Sequence, residues 1–135
     1  LFRSVIYGVK NYYVFSTDNG QTWHNDSVQI VGAGGAADIN HLIMLSPQTW
    51  WAALDNGHII RTDDAGAHWT DPNTGLGVAF MLGIDNYDNN SAISVGETNF
   101  FPRTGPITRT TDGGKTWTKT YTHGNALSKV SFVKK

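Results

Sequence analysis

The stretch "STDNGQTW", Ser16 to Trp23, brings an acid, a glycine and a tryptophan together within eight residues. Residues of these types in one loop could belong to an active site, or they could build a turn. Other stretches raise the same question. "DNYDNN" (85–90) has the oxygen-rich look of a calcium loop, but Tyr87 stands at a ligand position and the sixth position lacks glycine. A hairpin turn is the preferred reading. "GAGGAA" (32–37) follows the strand-like "VQIV" and fits a dinucleotide fingerprint. That fingerprint needs a helix next, and "DINHLIML" reads as a strand. The five histidines show no close pairing suited to zinc, and there is no cysteine for thiol chemistry, disulfides or zinc–thiolate sites. No metal and no cofactor is therefore expected.

Composition narrows the classes further. The chain has 135 residues, enough for one domain with a core, and is 39 % hydrophobic and 12 % aromatic. Its net charge of −1 comes with scattered Lys and Arg, which argues against a nucleic-acid footprint. No apolar run is long enough for a membrane-spanning helix.

The opening stretch recurs as "TDDAGAHW" (62–69) and "TTDGGKTW" (110–117), with the tryptophans 46 and 48 residues apart. A catalytic loop is not expected three times at even spacing, so the repeat is read as structural. The similarity extends upstream. "NYYVFS" (11–16), "GHIIRT" (57–62) and "GPITRT" (105–110) lead into the boxes, and "WWAAL" (50–54) corresponds to "AISVG" (92–96). Apolar stretches follow each box at 39–45, 80–85 and 126–133. One unit thus reads as four short strands, with the box between the third and fourth. This is the pattern of a β-propeller blade, all-β and antiparallel, with a period between WD40-type and kelch-type repeats. In the box, Asp18, Asp64 and Asp112 should cap the turn by accepting N–H bonds about two residues on. Gly20, Gly66 and Gly114 should supply positive φ, and Trp23, Trp69 and Trp117 should bury against a neighbouring sheet.

The frame Ser/Thr-x-Asp-x-Gly-x-Thr-Trp resembles the Asp box, or BNR repeat. It is similar to the repeats of sialidases, xyloglucanase-type hydrolases, sortilin-type receptors and, most of all, the BNR-like photosystem II assembly factors. His68 replaces the usual Thr and is expected to weaken the second box slightly. The resemblance implies that the boxes are structural turns away from any ligand. It also implies an extracytoplasmic home.

Strand counting gives a partial blade at 1–25, with strands near Val5–Val9 and Tyr12–Ser16. Blades follow at 36–71 and 78–120, and 126–135 reads as the first strand of a further blade. Propellers have about four to eight blades, and this makes three blade equivalents. Either the chain is a piece of a larger propeller, or two copies form a six-bladed ring in which each last strand completes the partner's first blade.

Chemistry is sought in the loops. "ETNFFPRTG" (97–105) is longer than its counterpart at 55–57 and carries Glu97, Phe100, Phe101 and Arg103, candidate binding residues for a protein or glycan. Resemblance to sialidases implies an arginine triad. Arg61 and Arg109 share a repeat position and look structural, which leaves Arg3 and Arg103. Resemblance to xyloglucanase-type hydrolases implies an acid–base pair of carboxylates. Asp38 is the best-placed candidate, with Glu97 or Asp71 as partner, although a turn role for Asp38 is favoured. Trp50 and Trp51 could stack on sugar, but neighbours in a strand face opposite ways. The preferred function is a non-catalytic binding or assembly scaffold. The alternatives are part of a glycoside hydrolase and a small oligomeric lectin.

Overall fold

The computed structural model describes residues 4–7, 12–28, 37–72, 79–99 and 101–133. Among the described residues, ten strands form three antiparallel sheets. The first sheet holds β1 (Ser4–Tyr7), β2 (Tyr12–Ser16) and β3 (His24–Ser27), paired in that order. The second holds β4 (Ile39–Met44), β5 (Trp50–Leu54) and β6 (Ile59–Thr62). The third holds β7 (Ala79–Asn86), β8 (Ala92–Thr98), β9 (Gly105–Thr110) and β10 (Thr118–His123). The expected fourth strand of the second unit is reduced to one bridge, Thr70 to Arg61.

β5 explains why its sequence is unbroken apolar. It is the central strand of the middle sheet, and all five of its residues are buried. Alternate side chains serve two different cores. Trp50, Ala52 and Leu54 join Tyr13, Val28, Ile39, Leu42 and Ile60 on the side of the first sheet. Trp51 and Ala53 join Ile59, Met81, Ile84, Ala92 and Trp117 on the side of the third. A strand covered on both faces carries no polar alternation. Small Ala52 and Ala53 let the neighbouring sheets approach.

The inner strands repeat one irregularity. Register slips between Ile39 and His41 in β4, and at the matching place between Met81 and Gly83 in β7. A bulge re-aims a side chain. At Asn40 it directs the amide nitrogen onto Asp55 Oδ1 at 2.8 Å and the Met81 carbonyl at 3.0 Å, joining the second sheet to the third. His41 Nδ1 accepts from the Ile84 N–H at 3.1 Å. Burial is the main cause that holds its pKa below the ordinary histidine value, and the neutral ring keeps the lone pair this bond needs.

Residues 126–133 lie beside the third sheet. They join no ladder among the described residues. The segment lies instead on the outer face of the third sheet. The Leu127 N–H donates to the Gly96 carbonyl at 3.0 Å, and the Phe132 N–H to Asp85 Oδ2 at 2.6 Å.

Candidate functional site: the repeated turn and the loop face

Each box is held by the same bonds. In the third, Thr110 Oγ1 donates to Asp112 Oδ1 at 2.7 Å and accepts from the Gly114 N–H at 3.0 Å. Asp112 then accepts the Thr116 N–H at 3.0 Å and the Thr116 hydroxyl at 2.6 Å. Ser16, Asp18 and Thr22 repeat this arrangement in the first box. The carboxylate therefore reaches four residues on, not two, because the two intervening left-handed residues lengthen the turn. These are Asn19 and Gly20, Ala65 and Gly66, and Gly113 and Gly114. The second box is not weaker in bonds. The His68 N–H donates to Asp64 Oδ1 at 2.8 Å and its Nδ1 meets Oδ2 at 2.6 Å, so the ring does the work of the threonine hydroxyl.

These bonds lower all three carboxyl pKa values to about 2, with contacts to Thr22, His68 and Thr116 as the leading causes. A depressed folded pKa gives stability that is present above the unfolded value near 3.8 and lost as pH falls towards 2. Asp112→Ala should lower the urea midpoint at neutral pH, and Asp112→Asn should lower it less, since one acceptor oxygen remains. Both variants should flatten the fall in midpoint between pH 4 and 2 that wild type shows, read from melts across that range.

What differs between boxes is what the tryptophan meets. Trp117 is 8 % exposed and stands edge-on to Trp51, with ring centres 5.8 Å apart. Trp69 meets Trp50 at 6.2 Å and Tyr13 at 6.5 Å. Trp23 departs from the expected burial. It is 45 % exposed, because no sheet covers that side of the first sheet among the described residues. Arg61 adds a clamp that the sequence marked only as structural. Its guanidinium lies 5.0 Å from the Trp51 ring centre, bonds Asp63, and reaches the Asn89 carbonyl at 2.6 Å and the Gly113 carbonyl at 3.3 Å. A cleft of ≈ 390 Å³ lies beside this joint, lined among others by Arg61, Asp71, Asp112 and Lys115.

The candidate chemical residues are not brought into one catalytic constellation. Glu97 lies in β8, largely buried, and pairs with Arg103 Nη1 at 3.1 Å. Asp38 lies beside the start of β4, where its carbonyl accepts the Asp55 N–H at 3.1 Å. Asp71 Oδ2 contacts His58 Nδ1 at 2.7 Å. Trp50 and Trp51 are 0 % and 1 % exposed, which removes them as a sugar plate. Asp88 caps the turn at 87–91 by accepting the Asn90 and Ser91 N–H groups, so "DNYDNN" is a hairpin. Ile39–Met44 is a strand, so no helix follows "GAGGAA", of which 32–36 lie outside the described residues. Among the described residues, no group of three or more His, Cys, Asp or Glu could hold a metal.

The loop between β8 and β9 presents the other candidates. Phe101 is 97 % exposed and Arg103 holds most of its side chain in solvent. Phe100 and Arg3 lie outside the described residues. The loop base is closed by Thr98 and Thr104, whose backbones bond at 2.9 Å.

Comparison with known proteins agrees with this geometry. The family model of the BNR/Asp-box repeat matches residues 14–25 and 108–119. The second box, with His68, is not among the matched segments. The solved structure "YCF48 bound to D1 peptide" superposes with a TM-score of 0.67 at 24 % identity, covering 87 % of this chain and 35 % of that one. "YCF48 from Cyanidioschyzon merolae" gives 0.53 at 18 % identity, covering 83 % and 33 %. The chain thus spans about a third of the length of these structures. No curated protein is significantly similar in sequence. No helix among the described residues is long and apolar enough to cross a membrane. The chain carries BNR/Asp-box repeats, and its sheets are β-propeller blades, about three in number.

Proposed function

We propose that this chain is a non-catalytic binding or assembly scaffold whose ligand is a protein segment. The observation that carries the reading is how the carboxylates are engaged. Those of the boxes hold turns, and Glu97 is paired with Arg103. A general acid and base must instead face a shared substrate. The structural neighbour bound to a D1 peptide supports a peptide as the ligand class. On the exposed loop, Phe101 offers an apolar anchor and Arg103 a charge, both residue types enriched where binding energy concentrates. An extracytoplasmic location belongs to the same proposal and rests on the resemblance of the repeats.

Fluorescence polarisation with a D1 peptide and unrelated extended peptides tests this reading, beside a glycan array and hydrolysis assays on sialosides and β-glucans. The expected result is saturable binding to a peptide, weakened about tenfold by Phe101→Ala or Arg103→Ala. Binding to glycans alone would overturn it in favour of a lectin. Hydrolysis abolished by Asp38→Ala or Glu97→Ala would overturn it in favour of a glycoside hydrolase.

A further inference from the structure

The joint between the second and third sheets carries a bond that acid can break. The two sheets meet across the core of Trp51, Ile59, Met81 and Ile84. Three side chains add hydrogen bonds across it among those described. Asn40 Nδ2 donates to the Met81 carbonyl at 3.0 Å, and Arg61 donates to the Asn89 and Gly113 carbonyls. His41 works in the other direction, because its Nδ1 accepts the Ile84 N–H at 3.1 Å. An amide does not titrate and a guanidinium stays charged, so the first two keep their donors at any ordinary pH. Of the three, only the histidine can change its charge between about pH 5 and 8.

The bond needs a neutral ring with its proton on Nε2, because Nδ1 must offer a lone pair. An imidazolium has N–H at both positions and would face the Ile84 N–H donor to donor. The surroundings favour the neutral form. Burial is the leading cause that holds the His41 pKa below 6.5, Lys129 lowers it further, and Asp85 opposes them. On the histidine's own sheet, Asp38 precedes β4 and Asp55 follows β5, where Asn40 holds it. The strands β1 and β5, which also pack against β4, carry no acid, histidine, lysine or arginine. The fold itself does not require a histidine here. The same bulge recurs in β7 and puts Gly83 at the matching position.

We propose that His41 is an acid-sensitive latch between the second and third blades, closed while its ring is neutral and released when Nδ1 takes up a proton. The proton binds at the lone pair that the Ile84 N–H occupies. One event therefore ends the bond and adds a positive charge to a partly buried site. The apolar core and the bonds of Asn40 and Arg61 remain, so the blades loosen at their inner strands without unfolding. A folded pKa below 6.5 means that the latch adds stability above 6.5 and loses it as pH falls through the folded value. Both halves of the latch lie within the chain, on sheets packed against one another.

Imidazole titration and amide exchange, followed by NMR on the wild-type chain from neutral pH downwards, test this. His41 should titrate below 6.5. Across that titration the Ile84 amide should lose about tenfold in protection, after correction for the intrinsic exchange rate, the scale of one lost hydrogen bond. Amides of the β5–β6 ladder should keep theirs. His41→Gln retains an acceptor oxygen and has no proton to gain. Its Ile84 amide should stay protected throughout, and its urea midpoint should fall less than that of wild type from about pH 7 to about pH 5. Should that variant not fold, the wild-type titration decides alone. Ile84 protection that ignores the His41 titration, a His41 that titrates at or above 6.5, a parallel loss in the β5–β6 ladder, or a His41→Gln midpoint that falls as steeply as wild type would each overturn the proposal.

Discussion

Trp51→Ala should lower stability by about 3–5 kcal/mol, the loss typical of removing a large aromatic from a core. The ring is 1 % exposed, and three neighbours rest on it: the Trp117 indole edge-on, the Arg61 guanidinium at 5.0 Å, and the backbone of Gly114. Its indole nitrogen has no hydrogen-bond partner, so the loss is one of packing and of the cation–π contact. The hole would open between two sheets packed face to face, where neither can collapse without dragging its own ladder. Small domains have about 5–15 kcal/mol in all, so this one change would consume much of it. Urea melts should show the drop in midpoint, and Trp117 fluorescence should shift to the red in the folded variant. Trp51→Phe should lose less, since a ring remains under Arg61.

Gly66→Ala is the second large effect expected, at about 2–5 kcal/mol. Two causes add. The residue has φ +94°, where a side chain strains the backbone. A Cβ built there would also lie 2.4 Å from Tyr13 Oη and 3.0 Å from Trp50 Cζ3. Both rings are buried, so neither has room to withdraw. The glycine itself is pinned by its N–H bond to Thr62 Oγ1 at 3.0 Å. Overpacking therefore falls on the joint between the first and second sheets. A thermal or urea melt reads the loss directly.

The repeated chemistry was the legible part of this chain. "WWAAL" predicted β5 to the residue, because a strand buried on both faces leaves a continuous apolar run. The boxes were legible because three copies of one turn can be compared within the sequence. Less could be read where the outcome depends on what lies opposite. Trp23, Trp69 and Trp117 occupy the same repeat position, yet their burial is set by the sheet each one meets. Residues 126–133 carry strand-like alternation, but a ladder also needs an edge to pair with. The clamp at Arg61 had a signal, its recurrence as Arg109 before the next box, though nothing in the sequence showed that it crosses to Gly113. His68 departs from the motif yet keeps the bonds of the box, because its ring reaches Asp64 as the threonine hydroxyl does elsewhere. The loop at 97–105 is longer than its counterpart at 55–57, so internal comparison gave no guide to the role of its added residues.

The central claim is that the boxes act by docking one blade on the next, and not only by closing a turn. Gly20 and Gly66 share the same backbone conformation, at φ +83° and +94°. A Cβ on Gly20, however, would meet nothing nearer than its own box tryptophan, 3.6 Å away. The direct measurement is a urea melt of Gly20→Ala beside Gly66→Ala. The docking account predicts that Gly20→Ala loses only the backbone strain, about 1–2 kcal/mol, and Gly66→Ala distinctly more. Equal losses at the two positions would contradict it and reduce the box to a turn.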